Sequence, residues 1–117
     1  MSRSKAKGTA FESLVVAELQ QHLGDNICRR TTSGAKDRGD IHGLHIRGLR
    51  TVAEVKNHQS MSLAAWVDEA EVERGNDDAA VGLVIHKRKG RGQALDQYVT
   101  MPLRDLLTII TGQRPDE

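Results

Sequence analysis

A chain of 117 residues has room for one compact domain, and 38% hydrophobic with 28% charged residues is the balance of a globular protein rather than a disordered or membrane-embedded one. No apolar run approaches a membrane span and no signal-peptide core follows Met1, so a cytoplasmic protein is expected, and the single cysteine, Cys28, excludes an internal disulfide framework. The net charge of +1 gives no global argument for a polyanionic partner, but residues 1–60 carry 10 Lys and Arg against 6 Asp and Glu, whereas residues 61–117 carry 7 against 10.

In chain order, residues 1–7 hold Arg3, Lys5 and Lys7 without an apolar pattern and read as a flexible basic arm. Thr9-Ala10-Phe11-Glu12 has the form of a capping box, with Thr9 as N-cap. The helix it opens should run to about Leu23, turning Phe11, Leu14, Val15 and Leu19 inward, and Gly24 should end it. Ile27 to Thr31 reads as a short strand with Arg29 and Arg30 on opposite faces. Thr32 to Arg38 is a polar loop containing Ser33 and Lys36.

Ile41–Ile46 and Arg50–Val55 are rich in Ile, Leu and Val around the turn signal Arg47-Gly48, and so predict a hairpin. A three-residue loop, Ile46 to Gly48, would set His45 opposite Leu49 and Asp40 opposite Glu54. Period 2 then adds Lys56 to the same face. Two carboxylates side by side on an apolar sheet call for neutralisation, and a divalent cation with hard oxygen ligands would supply it.

Beyond the hairpin, Ser60 or Ser62 should cap a second helix with Leu63, Trp66, Val67 and Ala70 inward. Its other face, Asp68, Glu69, Glu71 and Glu73, is acidic. Ala80 to His86 is a continuous apolar run suited to a strand buried on both faces, and reaching it through a helix implies a crossover and a mixed sheet. Lys87, Arg88, Lys89 and Arg91 form a basic glycine-containing loop, followed by a strand over Asp96–Thr100. Pro102 fits the first turn of a terminal helix carrying Leu103, Leu106, Leu107 and Ile110, before a polar tail over 113–117. The expected fold is therefore α/β, a single domain over residues 8–112 in the order αβββαββα, with a mixed sheet flanked by helices.

Asp40 followed by Glu54-Val55-Lys56, with Glu12 on a preceding helix, resembles the signature of PD-(D/E)xK nucleases. The chain looks most similar to the small archaeal-type Holliday junction resolvases of that superfamily, from Gly8 to about Lys89. The resemblance implies a restriction-endonuclease-like fold. It also implies a Mg²⁺ site, which Mn²⁺ can share, held by Asp40, Glu54, the Val55 carbonyl and Glu12. Lys56 would hold or activate the attacking water. The implied activity is a homodimeric endonuclease making paired nicks in four-way DNA junctions.

Arg29, Arg30, Ser33, Lys36, Lys87, Arg88, Lys89 and Arg91 are the expected phosphate contacts, which are sequence-independent by nature. The capping box accounts for Glu12 equally well, and Trp66 reads as core. An acidic helix face beside Asp40 would repel DNA, so residues 68–73 are expected to face away from the site. Three alternatives stay open: a nuclease of the same chemistry on other branched or linear DNA, a catalytically silent DNA-binding relative, and an unrelated α/β domain with a chance motif.

Overall fold

A computed structural model describes residues 3–30 and 37–115. Two helices sandwich a four-stranded sheet in the order β3–β4–β5–β6 (His45–Ile46, Leu49–Lys56, Val81–His86, Tyr98–Thr100). Helix α1 (Arg3–Leu23) lies on one face and α2 (Leu63–Asn76) on the other. A separate two-stranded ladder joins β1 (Cys28–Arg29) to β2 (Ile41–His42), and α3 (Leu103–Thr111) closes the chain.

The apolar run 81–86 does become a strand buried along its whole length. It pairs in parallel with β4 over six residues, Thr51 with Val81 through Lys56 with His86, after the crossover through α2. β3 and β6 run antiparallel to their neighbours, so the sheet is mixed, as expected. Phe11, Val15 and Val16 of α1 meet Ala53, Val55, Val81, Leu83 and Ile85 in the larger core cluster. On the opposite face Trp66 and Ala70 of α2 cover Val84.

Four local expectations are corrected. First, α1 begins at Arg3, so residues 3–7 are helical and Thr9 lies inside the helix. The capping box is therefore not formed, and Glu12 is released from that explanation. Second, the hairpin loop has two residues: Ile46 pairs with Leu49 and His45 with Arg50. Arg47 and Gly48 both have positive φ, 52° and 80°, the pair of left-handed residues that matches a tight turn to strand twist.

Third, the expected strand 41–46 is split. Gly43 has φ 90°, and its Cα packs so close to the Asn26 carbonyl oxygen that a Cβ would collide with it. The chain kinks there, and β2 turns to pair with β1. Fourth, α3 is inverted relative to its apolar stripe. Leu103, Leu106, Leu107 and Ile110 are exposed, whereas Asp105 and Thr108 are buried. Asp105 accepts from the Gly82 backbone N–H at 2.9 Å and from Arg114 Nη1 at 2.9 Å, so polar anchoring sets the orientation of this helix.

Replacing Gly43 with alanine adds both a collision with backbone and a disfavoured φ. We expect Gly43→Ala to lower stability by about 1–3 kcal/mol in chemical denaturation, with a smaller loss for Gly48→Ala, whose Cβ would meet open space.

Candidate functional site

Side chains of β4 alternate between the two helical layers. Ala53 and Val55 enter the cluster under α1, so Glu54 and Lys56 project toward α2. Glu54 is 2% exposed in the middle of the paired region, opposite Val84. Asp40 arrives from the turn that precedes β2, where its N–H donates to the Ala53 carbonyl at 3.0 Å. Its Oδ2 accepts from the Val55 N–H at 2.8 Å. The two-residue loop shifts the register by one from the expected Asp40–Glu54 opposition, yet this side-chain bond still brings Asp40 beside Glu54.

Glu12, Asp40, Glu54, Val55 and Lys56 all line one cavity of about 450 Å³ at the carboxyl end of β4, between α1 and α2. Crevices beyond the carboxyl ends of parallel strands are the usual ligand sites of open α/β sheets. The cavity is also lined by Lys7, Asp37, Asn57, His58, Gln59 and Glu69. A second cavity of about 670 Å³ shares Lys7, Lys56, Asn57, His58 and Gln59 with the first, and extends along Lys87, Arg88, Lys89 and Tyr98. An acidic basin thus opens sideways into a basic groove.

The acidic face of α2 divides: Asp68 and Glu71 lie away from the cavity, Glu71 on Arg74 and Arg114, whereas Glu69 and Glu73 come to the site, which overturns the expectation for those two. Trp66, Glu69, Ala70 and Glu73 recur at helical spacing on one side, and packing Trp66 and Ala70 on the sheet carries both glutamates to the site. Lys56 Nζ donates to Glu69 Oε1 at 2.8 Å. Glu73 is 1% exposed, and neither of its carboxylate oxygens has a hydrogen-bond partner among the described residues; the same holds for Glu54 Oε2.

This crowding sets the protonation states. Burial, reinforced by Asp40 and Glu73, pushes the Glu54 carboxyl far above the usual carboxylate range. Burial lifts Glu73 to about 8. Glu12 is raised by burial and by Asp40, against the opposing pull of Arg29, whose Nη2 lies 3.4 Å from Glu12 Oε2. Burial disfavours the Lys56 ammonium, but Glu69, Glu54 and Asp40 outweigh it and raise its pKa above the ordinary lysine value. Lys56 is therefore a fixed cation and donor; it is not poised to take a proton from water.

The basic residues divide. Arg30 Nη1 lies 3.2 Å from Asp77 Oδ1, and Arg50 binds the same buried carboxylate through two nitrogens at 3.0 Å. Arg30 therefore ties β1 to the end of α2 and is removed from the expected phosphate surface. Arg29 is occupied with Glu12. Lys87 turns its ammonium back onto the carbonyls of Arg88 and Arg91, bracing the loop. Arg88 stacks over the Tyr98 ring at 5.3 Å, and Lys89 and Arg91 are exposed. Ser33 and Lys36, with Thr32, lie outside the described residues. Asp37, Glu69 and Glu73 are site residues that the sequence reading missed, although the spacing of Trp66, Glu69, Ala70 and Glu73 carried the signal for two of them.

No protein-family model matches the chain, and no curated protein and no solved structure matches it either. No described helix is long and apolar enough to cross a membrane.

A carboxyl that ionises near 4.5 in the unfolded chain and near 8 in the fold makes unfolding release a proton throughout that interval. Its stabilising contribution is complete below the lower value and lost as pH rises toward the upper one. The melting temperature of the metal-free protein should therefore fall between pH 5 and pH 8, and Glu73→Gln should flatten that slope in a thermal scan.

Proposed function

We propose that the protein is a divalent-cation-dependent DNA endonuclease with a restriction-endonuclease-like fold, cutting four-way junctions as a homodimer. The observation that carries this reading is the convergence of Glu12, Asp40, Glu54 and Lys56 on one cavity that opens into a basic groove. Supporting the fold are the mixed sheet, the crossover helix, and the placement of both motif residues Glu54 and Lys56 on a strand paired in parallel to the next.

The residues fit a hard cation: the donors are all oxygens, and Glu54 Oε2 is buried without a partner. Asp40, Glu54, the Val55 carbonyl and Glu12 would hold the ion, Mg²⁺ or Mn²⁺. It would supply Lewis acidity toward the scissile phosphate and offset the carboxylate charge. Asp40 is pre-oriented by the Val55 N–H. Lys56, held protonated, can donate to an oxygen of the phosphate as charge builds on it. Arg88, Lys89 and Arg91 would follow the flanking backbone, a contact that reads shape rather than bases.

Two-fold symmetry of a junction requires two active sites, and one domain offers one. The outward stripe Leu103, Leu106, Leu107 and Ile110, with Val99 exposed on the edge strand β6, is an apolar surface suited to a second copy. We expect light scattering to give twice the chain mass, and Leu106→Asp with Ile110→Asp to give the monomer while circular dichroism stays unchanged.

One observation favours a second reading. Glu69, which lines the same cavity as Asp40, repels a phosphodiester, and it already holds Lys56. A catalytically silent DNA-binding relative would bear this burden without consequence. Incubating a labelled four-way junction and a matched duplex in Mg²⁺ or Mn²⁺ separates the readings. Endonuclease activity predicts symmetric nicks in the junction alone, lost by 100-fold or more in Asp40→Asn. Cutting of both DNAs would remove the junction preference, and binding without any cutting would transfer the conclusion to the silent relative.

A further inference from the structure

We infer that a second divalent cation binds on the α2 side of Glu54, between Asp37, Glu54, Glu69 and Glu73. This set is distinct from the Asp40 side, with Glu54 shared between the two. It extends the metal chemistry of the proposed nuclease, yet the ion binding itself does not depend on DNA being the substrate.

Each of the four residues offers a carboxylate oxygen, and these oxygens all lie within 4.8 Å of one another. Ligands on opposite sides of an oxygen-coordinated ion with bonds of roughly 2.1–2.5 Å stand about 4–5 Å apart, so the spacing suits one ion at the centre. Acidic residues commonly gather on surfaces without any ion. What singles out this group is its buried half. Glu73 and Glu54 are 1% and 2% exposed, and three of their four oxygens have no hydrogen-bond partner among the described residues.

The described cations nearest these oxygens have other partners. Lys56 is on Glu69, and Arg74, the residue next to Glu73, directs its guanidinium to Glu71 and to the Ala79 carbonyl. A buried carboxylate left unpaired is among the costlier features a fold can carry. Asp37 and Glu69 are the solvent-accessible members, giving an ion a route in from the cavity. The all-oxygen set selects Mg²⁺, Mn²⁺ or Ca²⁺ over Zn²⁺. The competing occupant is a proton shared between Glu54 and Glu73, which would leave no place for an ion.

The test is Mn²⁺ binding to the metal-free full chain at pH 7.5 without DNA, by isothermal titration with electron paramagnetic resonance to count free ion. Two ions per chain are expected for the wild type. Glu73→Gln should bind one, and so should Asp40→Asn, while Glu69→Gln, at an exposed position, should weaken one of the two ions tenfold or more. A single ion in the wild type, or two ions of unchanged affinity in both Glu73→Gln and Glu69→Gln, would overturn the second site. Two ions with no cleavage of any DNA would leave this site standing and remove the nuclease reading instead.

Discussion

A carboxylate in the buried stretch of a central paired strand is the constraint around which this molecule is arranged. Glu54 cannot escape to water, because β5 lies on one side, α2 covers its face and Asp40 crosses the strand to bond Val55. It brings no cation with it: Lys56, two residues on, is drawn to Glu69 instead. The fold therefore accumulates negative charge where the cost is greatest and leaves the neutralisation to a proton or a bound ion. Stability and ligand binding are coupled at this residue, since whatever neutralises Glu54 and Glu73 also removes strain from the sheet.

Elsewhere the same fold treats buried charge differently. Asp77 is as deeply buried, but two guanidiniums reach it, and its carboxyl, though burial works against ionisation, is held below the usual range by Arg50 and Arg30. Asp105 is matched by Arg114 and by a backbone N–H. These two knots fasten the ends of α2 and α3 to the sheet with their hydrogen bonds made. The contrast isolates the Glu54–Glu73 pair: the chain has the means to pair buried acids, and has not done so there.

Much of the fold was legible because hydrophobic patterning and punctuation agreed. Gly24, the apolar run from Ala80 to His86 and the crossover read correctly from local pattern. Two of the errors come from tertiary contacts that no local pattern encodes. Backbone crowding at Asn26 split the strand at Gly43, and Asp105 turned α3 over against its own apolar stripe. At the site, Asp40, Glu54 and Lys56 were legible as a motif on adjacent strands. The α2 glutamates were treated as a solvated face because charge was weighed before spacing. Position 73 shares the helical face of Trp66 and Ala70, and that geometry outweighed its charge.

If the protein is the nuclease proposed above, the division of charge across the two joined cavities would also set an order of events. A phosphodiester approaching the bare basin would meet Glu12, Asp37, Asp40 and Glu69 at close range, and at such distances in a partly desolvated crevice repulsion is little screened by salt. The basic groove attracts the same backbone a short way off, through Arg88 and Lys89 beside Tyr98. Without bound ions the polymer would be held in the groove and kept out of the basin. With them the sign of the basin would be offset, and Lys56, which lines both cavities, would on the proposed reading link binding to chemistry. The acidic helix that argues against a nuclease in the metal-free state is, on this view, what would make strand entry depend on the cation.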